Sequence, residues 1–316
     1  MKNLYIFSGE GYMVRDSLKK LKQALNIPYD TLNITEYKTM PKADELIAAC
    51  AEYPFMADKR LLAVLDCTVL TTAGKAEEAK KLTVYLDKMP DSTVLVLCTD
   101  GAADKRRSLY KRIKELGEVR EFAAPTAAAC AGFVVQQAKA QGARISAGTA
   151  EELVALSGCD YYTLENETAK LAVYCGLKEI TSAHVKECAS RSLEYNVFEI
   201  HRLFVQRKAE EARNLLSEIL ESERPEGLIG LFARKVRDMY KTKTMLDAGF
   251  SQDRIAALLK VKSFAARMLA KECGRFSAAQ LRDGLKLLAD LDYGIKSGQM
   301  DSDLALSAAL LRIYGF

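Results

Sequence analysis

The chain has 316 residues, with 46 Lys and Arg against 42 Asp and Glu, for a net charge of +4. That length holds two or three domains, and the mild basicity permits nucleic acid as a partner without demanding it. No stretch approaches the ~18 apolar residues of a membrane span, and Leu4-Tyr5-Ile6-Phe7 gives way at once to Ser8-Gly9. Neither a signal peptide nor a membrane partner is expected, and the expected location is cytoplasmic.

Two residue types exclude further chemistry. The eight cysteines, at 50, 67, 98, 130, 159, 175, 188 and 273, form no C-x-x-C pair and no zinc spacing, so reduced and mostly buried thiols are expected. His184 and His201 are the only histidines. Both sit in helical patterns with no Cys or carboxylate nearby in sequence to make a metal site or a triad. No metal, cofactor or catalytic residue is therefore expected.

In chain order, Lys2 to Ser8 predicts a strand, Gly9-Glu10-Gly11-Tyr12 a turn, and Asp16 to Leu25 a helix with Val14, Leu18, Leu21 and Leu25 on one face. Strand, glycine turn and helix is where a phosphate loop would sit. The loop is missing, because neither lysine nor Ser/Thr follows Gly11, and Gly74-Lys75 has Val69 and Ala76 where the motif needs glycine and a hydroxyl. Nucleotide hydrolysis is rejected on those absences, and Asp66 and Asp100 become strand-end caps rather than magnesium ligands. Further strands are expected near Asp30–Ile34, Leu61–Leu65, Ser92–Cys98 and Val119–Phe122. Helices are expected over Pro41–Glu52, over Ala76–Leu86, and, basic and amphipathic, over Asp104–Lys114. Strands alternating with helices imply a parallel α/β sheet over residues 1–123.

From Pro125 strand signals nearly vanish. Helices are predicted over Thr126–Gln141, from a capping box Thr149-x-x-Glu152 to Gly158, from Asp160 to Cys175, and from Thr181 or Ser182 to Ser190, with one short strand pair at Ile145 and Ile180. This is a small helical domain, 124–192. Residues 193–316 read as an all-α domain. Val197, Ile200 and Phe204 form one stripe, and Ala212, Leu215, Leu216 and Ile219 the next. Pro225 stands at a helix start, Ser251, Ser263, Ser277 and Asp301 at N-caps, and Ser277-x-x-Gln280 is a capping box. There is no internal repeat and no low-complexity segment.

One stretch is odd. Pro54 stops the Pro41 helix, because it biases Tyr53 away from helical dihedrals. Phe55 and Met56 then stand between the helix end and the strand at Leu61, next to Asp58, Lys59 and Arg60. Two readings remain open: the pair caps its own core, or it is a plug for another protein's apolar pocket.

The layout of an α/β domain, a small helical lid and a helical C-terminal domain resembles a clamp-loader subunit of the AAA+ class. Gly9-Glu10 with Tyr12, Pro54-Phe55-Met56-Ala57-Asp58-Lys59-Arg60-Leu61 and Asp104-Lys105-Arg106…Leu109-Tyr110-Lys111 resemble the delta subunit of bacterial DNA polymerase III. So do Asp160 with Leu164-Glu165-Asn166-Glu167, then Asn196-Val197-Phe198, Gly249…Ile255-Ala256, Arg275-Phe276-Ser277 and Leu287-Leu288-Ala289-Asp290. The resemblance spans nearly the whole chain in order.

It implies a subunit that binds no ATP and opens the ring-shaped sliding clamp (the beta subunit) so that it can be loaded on primed DNA. Its partners would be the ATPase and delta-prime subunits of a hetero-pentamer, and it would be a non-catalytic part of a DNA-directed DNA polymerase holoenzyme. By position, Pro54, Phe55, Met56 and Ala57 would bind the clamp, and the C-terminal domain would join a collar. Primer-template DNA passes through such a complex. The candidates for its phosphates are Lys105, Arg106, Arg107, Lys111 and Arg112, and Arg234, Lys235, Arg237, Lys241 and Lys243. A solvated helix face is the plainer reading of each set. The alternatives to a clamp opener are a nucleotide-dependent switch with a degenerate loop and a helical scaffold.

Overall fold

A computed structural model describes residues 2–71, 75–261, 263–300 and 302–316. The chain divides into two compact units, Met1–Phe133 with Asp160–Tyr162, and Val134–Cys159 with Thr163–Phe316. No described helix is long and apolar enough to cross a membrane, and among the described residues no His/Cys/Asp/Glu group could hold a metal.

The first unit holds β1 (Leu4–Gly9), α1 (Gly11–Leu25), α2 (Asp30–Asn33), β2 (Ile34–Tyr37), α3 (Ala43–Ala51), β3 (Arg60–Val64), α4 (Ala76–Tyr85), β4 (Thr93–Asp100), α5 (Ser108–Leu116) and β5 (Glu118–Phe122). The five strands form one parallel sheet in the order β2-β3-β4-β1-β5. This is the AAA+-like α/β architecture expected. β3 and β4 are buried at nearly every position because both faces of the sheet are covered there. Tyr5, Phe7, Leu61, Ala63, Val94 and Val96 pack towards Val14, Leu18 and Leu21 of α1. Their alternates Leu4, Ile6, Leu62, Val64, Leu95 and Leu97 pack with Leu46, Leu82, Leu109 and Ile113 of α3, α4 and α5. Gly9 has φ +115, and a Cβ there would lie 1.9 Å from the Phe122 carbonyl oxygen, so only glycine lets β1 turn beside β5.

Two expectations for this unit need correcting. Residues 30–33 are a helical turn, not a strand; pairing begins at Ile34 against Leu61. The Asp30 carboxylate accepts the Thr31 N–H, a local turn contact that competes with strand pairing. The basic helix begins at Ser108, so Lys105, Arg106 and Arg107 lie in the turn before it. Asp104 holds that turn by accepting from the Arg106 backbone and guanidinium.

The remaining elements are α6 (Ala127–Ala140), β6 (Arg144–Ile145), α7 (Ala147–Ser157), α8 (Tyr161–Tyr174), β7 (Glu179–Ile180) and α9 (Ser182–Cys188). β6 and β7 form the expected pair, in parallel. α7 starts one turn before the expected box: Ser146 is its N-cap, accepting the Thr149 N–H, and Thr149 lies inside the helix. Then come α10 (Leu193–Val205), α11 (Ala209–Leu220), α12 (Pro225–Asp247), α13 (Gln252–Leu259), α14 (Ser263–Cys273), α15 (Ala278–Lys296) and α16 (Ser302–Tyr314). The expected stripes are buried in one core with Phe232, Val236, Leu288 and Leu310. Pro225 begins α12, Ser251 caps α13, and the Ser277–Gln280 box is formed. Ser263 is the first helical residue of α14 rather than its cap. Gly74, and Asp301 as an N-cap, lie outside the described residues.

Candidate functional site

The corner after α3 is exposed and its backbone is fixed. α3 ends at Ala51, its C-cap Glu52 is already extended, and Pro54 keeps Tyr53 from resuming the helix. Phe55 is 51% exposed and Met56 75%, so neither caps the core. Pro54 and Ala57 are half-buried, and Ala57 packs on the α1 side of the sheet.

Three anchors hold the loop. Asn33, 1% exposed, accepts the Phe55 N–H at Oδ1 (2.7 Å) and donates from Nδ2 to the Phe55 carbonyl (2.9 Å) and the Pro28 carbonyl (2.8 Å). Lys59 donates to Asn3 Oδ1 (3.0 Å) and to the Asp91 carbonyl. Arg60, buried at the start of β3, reaches back to Glu52 (2.7 Å). Met56 has φ +45, a left-handed backbone that costs a non-glycine residue ~1–2 kcal/mol and persists only where neighbours over-determine it. The Tyr29 ring meets Phe55 edge-on at 5.9 Å, and Tyr29, Leu32 and Tyr53 are exposed as well. The result is a stiff apolar tip at the N-terminal edge of the sheet.

The opposite, C-terminal edge carries a cleft of about 820 Å³ where a nucleotide would lie in a phosphate-loop protein. Its lining includes the carboxylates of Glu10, Asp100, Glu121 and Asp160 and the single cation Lys105. Glu10 caps α1: Oε1 accepts the Tyr12 N–H (3.0 Å) and Oε2 the Met13 N–H (2.8 Å). Those amides are the ones that would face a phosphate, and the chain's own carboxylate occupies them. Lys105 is engaged by Glu121 (2.7 Å), and its hydrogen bond, with one from Tyr110, holds the Glu121 carboxyl below its ordinary pKa. The cleft is thus electrostatically unsuited to a polyphosphate.

Residues 5–122 match the family model "DNA polymerase III, delta subunit", and residues 194–313 match the model "DNA polymerase III delta subunit, C-terminal domain". The chain belongs to the DNA polymerase III delta subunit family. DNA polymerase III subunit delta of Bacillus subtilis (strain 168) is 29% identical over 319 residues, covering 98% of this chain and 91% of the relative. The solved structure of the Bacillus subtilis DNA clamp loader delta protein superposes with a TM-score of 0.67 at 28% identity, covering 99% of this chain and 96% of that one.

The two basic stretches of this delta-family chain differ sharply. In the first, Lys105 pairs with Glu121, Arg106 with Asp104, and Arg112 with Asp87 and Glu115. In the second, Lys235 pairs with Glu272 (2.6 Å) and Lys243 with Asp247 (2.8 Å), while Arg234, Arg237 and Lys241 are exposed with no acidic partner among the described residues. At about 100° per residue those three lie within ~60° of one another on α12, forming one ridge.

Sequence reasoning missed Asn33, Tyr29 and Leu32 at the tip. The available signal was Pro28-x-Asp30, a turn pattern that argues against a strand there. It also missed the surroundings of His201. His201 Nδ1 lies 2.7 Å from the Tyr314 hydroxyl, and its Nε2 is 3.3 Å from Glu272 Oε2, within ion-pair reach but off hydrogen-bond alignment.

Proposed function

We propose that this chain is the clamp-opening subunit of a replicative clamp loader, with Phe55 and Met56 as the side chains that enter an apolar pocket on the sliding clamp. The observation that carries this reading is a large apolar pair held outward on a backbone fixed by buried Asn33. Interface energy concentrates in a few such anchors, worth about 2 kcal/mol or more each. A fixed tip also avoids the ordering cost of a mobile loop, about 1–2 kcal/mol per residue.

The pair opens the ring by binding the open edge better than the closed one, and shifts that equilibrium by its differential affinity and no more. β3, rooted between β2 and β4, gives the tip the rigid backing a wedge needs. The energy of ATP enters through partner subunits, because the cleft at the other edge of this sheet is acid-lined and its amides are filled by Glu10. That cleft also weighs against a nucleotide-dependent switch. Residues 193–316 serve as the collar domain in a hetero-pentamer with the ATPase and delta-prime subunits, acting in the bacterial cytoplasm. Primer-template DNA passes close enough for Arg234, Arg237 and Lys241 to reach its phosphates. Capture of purified sliding clamp by the isolated chain tests the reading: stable 1:1 capture supports it, and no interaction refutes it.

A further inference from the structure

The C-terminal domain contains a second candidate surface, apart from the tip and from the α12 ridge. α13 has eight residues and α14 eleven, with only residues 260–262 between them. α12 packs against α14, and α13 against both. Lys260 closes the first helix with a left-handed backbone, φ +56, and its N–H bonds the Ala257 carbonyl. Ile255, Ala256, Ala266 and Cys273 are buried. Two short helices separated by three residues and packed on a longer third one share the layout of a helix-turn-helix unit.

The charges of this unit are sorted. Over residues 251–275 the chain has six cations, Arg254, Lys260, Lys262, Arg267, Lys271 and Arg275, against two acids, Asp253 and Glu272. Glu272 is the only acid on α14, and it is turned inward. Lys235 holds it at 2.6 Å, and His201 lies at 3.3 Å. Asp253 lies in the first turn of α13, away from the connecting turn. Ser263, Arg267 and Lys271 are exposed at i, i+4 and i+8, so they line one side of α14. Arg267, Lys271 and Lys260 have no acidic partner among the described residues.

This stripe is not the α12 ridge. Lys235 marks the side of α12 that meets α14, and Arg234, Arg237 and Lys241 lie roughly 100–160° around the helix from it. The inward acid is the informative feature. A solvated helix face ordinarily mixes both signs, whereas here the one carboxylate of α14 is neutralised beneath the surface and only cations remain above it.

We propose that α13 and α14 form a contact surface for duplex DNA. α14 lies against the groove, and Lys260, Arg267 and Lys271 neutralise backbone phosphates without reading sequence. Such contacts are electrostatic and release counterions, so each phosphate neutralised adds about 0.9 to the slope of log affinity against log salt.

The test uses the full chain and a fluorescein-labelled duplex of about 20 base pairs with arbitrary sequence, followed by anisotropy between roughly 50 and 200 mM NaCl, where such contacts respond most. Arg267→Ala with Lys271→Ala is expected to lower the salt slope by about 2 and the affinity on the order of tenfold at the low-salt end. Its melting temperature should equal that of the wild type, since both side chains are exposed. Arg267→Lys with Lys271→Arg should retain binding. Absence of salt-dependent duplex binding by the full chain overturns the proposal. So does an unchanged slope in the Ala variant, or loss of all binding on replacing Arg234, Arg237 and Lys241 instead.

Discussion

Asn33 grips the backbone of Phe55 from both sides, accepting its N–H at 2.7 Å and donating to its carbonyl at 2.9 Å across 22 residues of sequence. Phe55 presents both its backbone N–H and its C=O to Asn33, and a carboxamide is the side chain that matches a donor and an acceptor at once. The contact fixes the segment while leaving both large side chains to point outward.

Asn33→Ala therefore separates support from contact. The substitution leaves the Phe55 amide and carbonyl and the Pro28 carbonyl short of a partner, a cost of about 1–3 kcal/mol in stability. It also frees the tip, whose reordering on binding costs about 1–2 kcal/mol per residue, so clamp affinity should drop roughly tenfold with Phe55 and Met56 still present. Thermal melting and clamp titration of the same variant check both. An unchanged clamp affinity means the tip needs no internal clamp.

The full chain should give no saturable heat on titration with ATP and magnesium. Glu10→Ala removes the carboxylate cap of α1 and should cost about 1 kcal/mol of stability, yet not create a nucleotide site, because the lysine and hydroxyl are still missing. Saturable binding by the wild type would contradict the acid-lined cleft described above.

On α12, Arg234→Ala, Arg237→Ala and Lys241→Ala together should reduce the salt slope of DNA binding by a reconstituted loader, by up to about 2.7 if all three touch phosphates. Replacing Lys105 and Arg106 should change it little, since Glu121 and Asp104 already engage those charges. Equal slopes in wild type and triple variant would leave the ridge as a solvated face.

His201 gives the C-terminal domain a pH dependence. Burial lowers its pKa below 6.5, Glu272 pulls it part of the way back, and Lys235 lowers it. Burial also pushes Glu272 up, but Lys235, hydrogen-bonded to it, and the nearby His201 hold its carboxyl below the ordinary value. As pH falls through about 6.5, the unfolded His201 takes a proton that the folded one refuses, so protons favour the unfolded state and stability is lost. The melting temperature should fall between pH 7 and pH 5.5, by no more than about 1.4 kcal/mol of stability per pH unit for one proton. His201→Gln should flatten that window, and a wild-type melting temperature equal at both pH values would rule the linkage out.

The parts of the fold visible in the sequence are those written in local patterns. Leu61-Leu62-Ala63-Val64 reads as a doubly covered strand because no position is polar, and Ser277-x-x-Gln280 names its own cap. Local patterns also misled: Thr149-x-x-Glu152 has the form of a capping box, but Ser146 took the cap and drew Thr149 into the first turn. The Phe55–Met56 pair was visible as two large apolar residues beyond Pro54. Its exposure was not, because that depends on Asn33, which no periodicity links to residue 55. The same holds for His201, whose partners Glu272 and Tyr314 arrive only through helix packing.

Phe55→Ala with Met56→Ala tests the central claim most directly, measured as clamp binding and melting temperature on one preparation. Buried Phe and Met would each cost about 2–5 kcal/mol on truncation, comparable together to a whole domain's stability. These two side chains already face water in the free chain, so the fold should lose little. The interface should lose its anchors, each worth ~2 kcal/mol or more. The account predicts loss of clamp binding at an unchanged melting temperature. Full clamp binding by the double variant, or a large fall in its melting temperature, would contradict it.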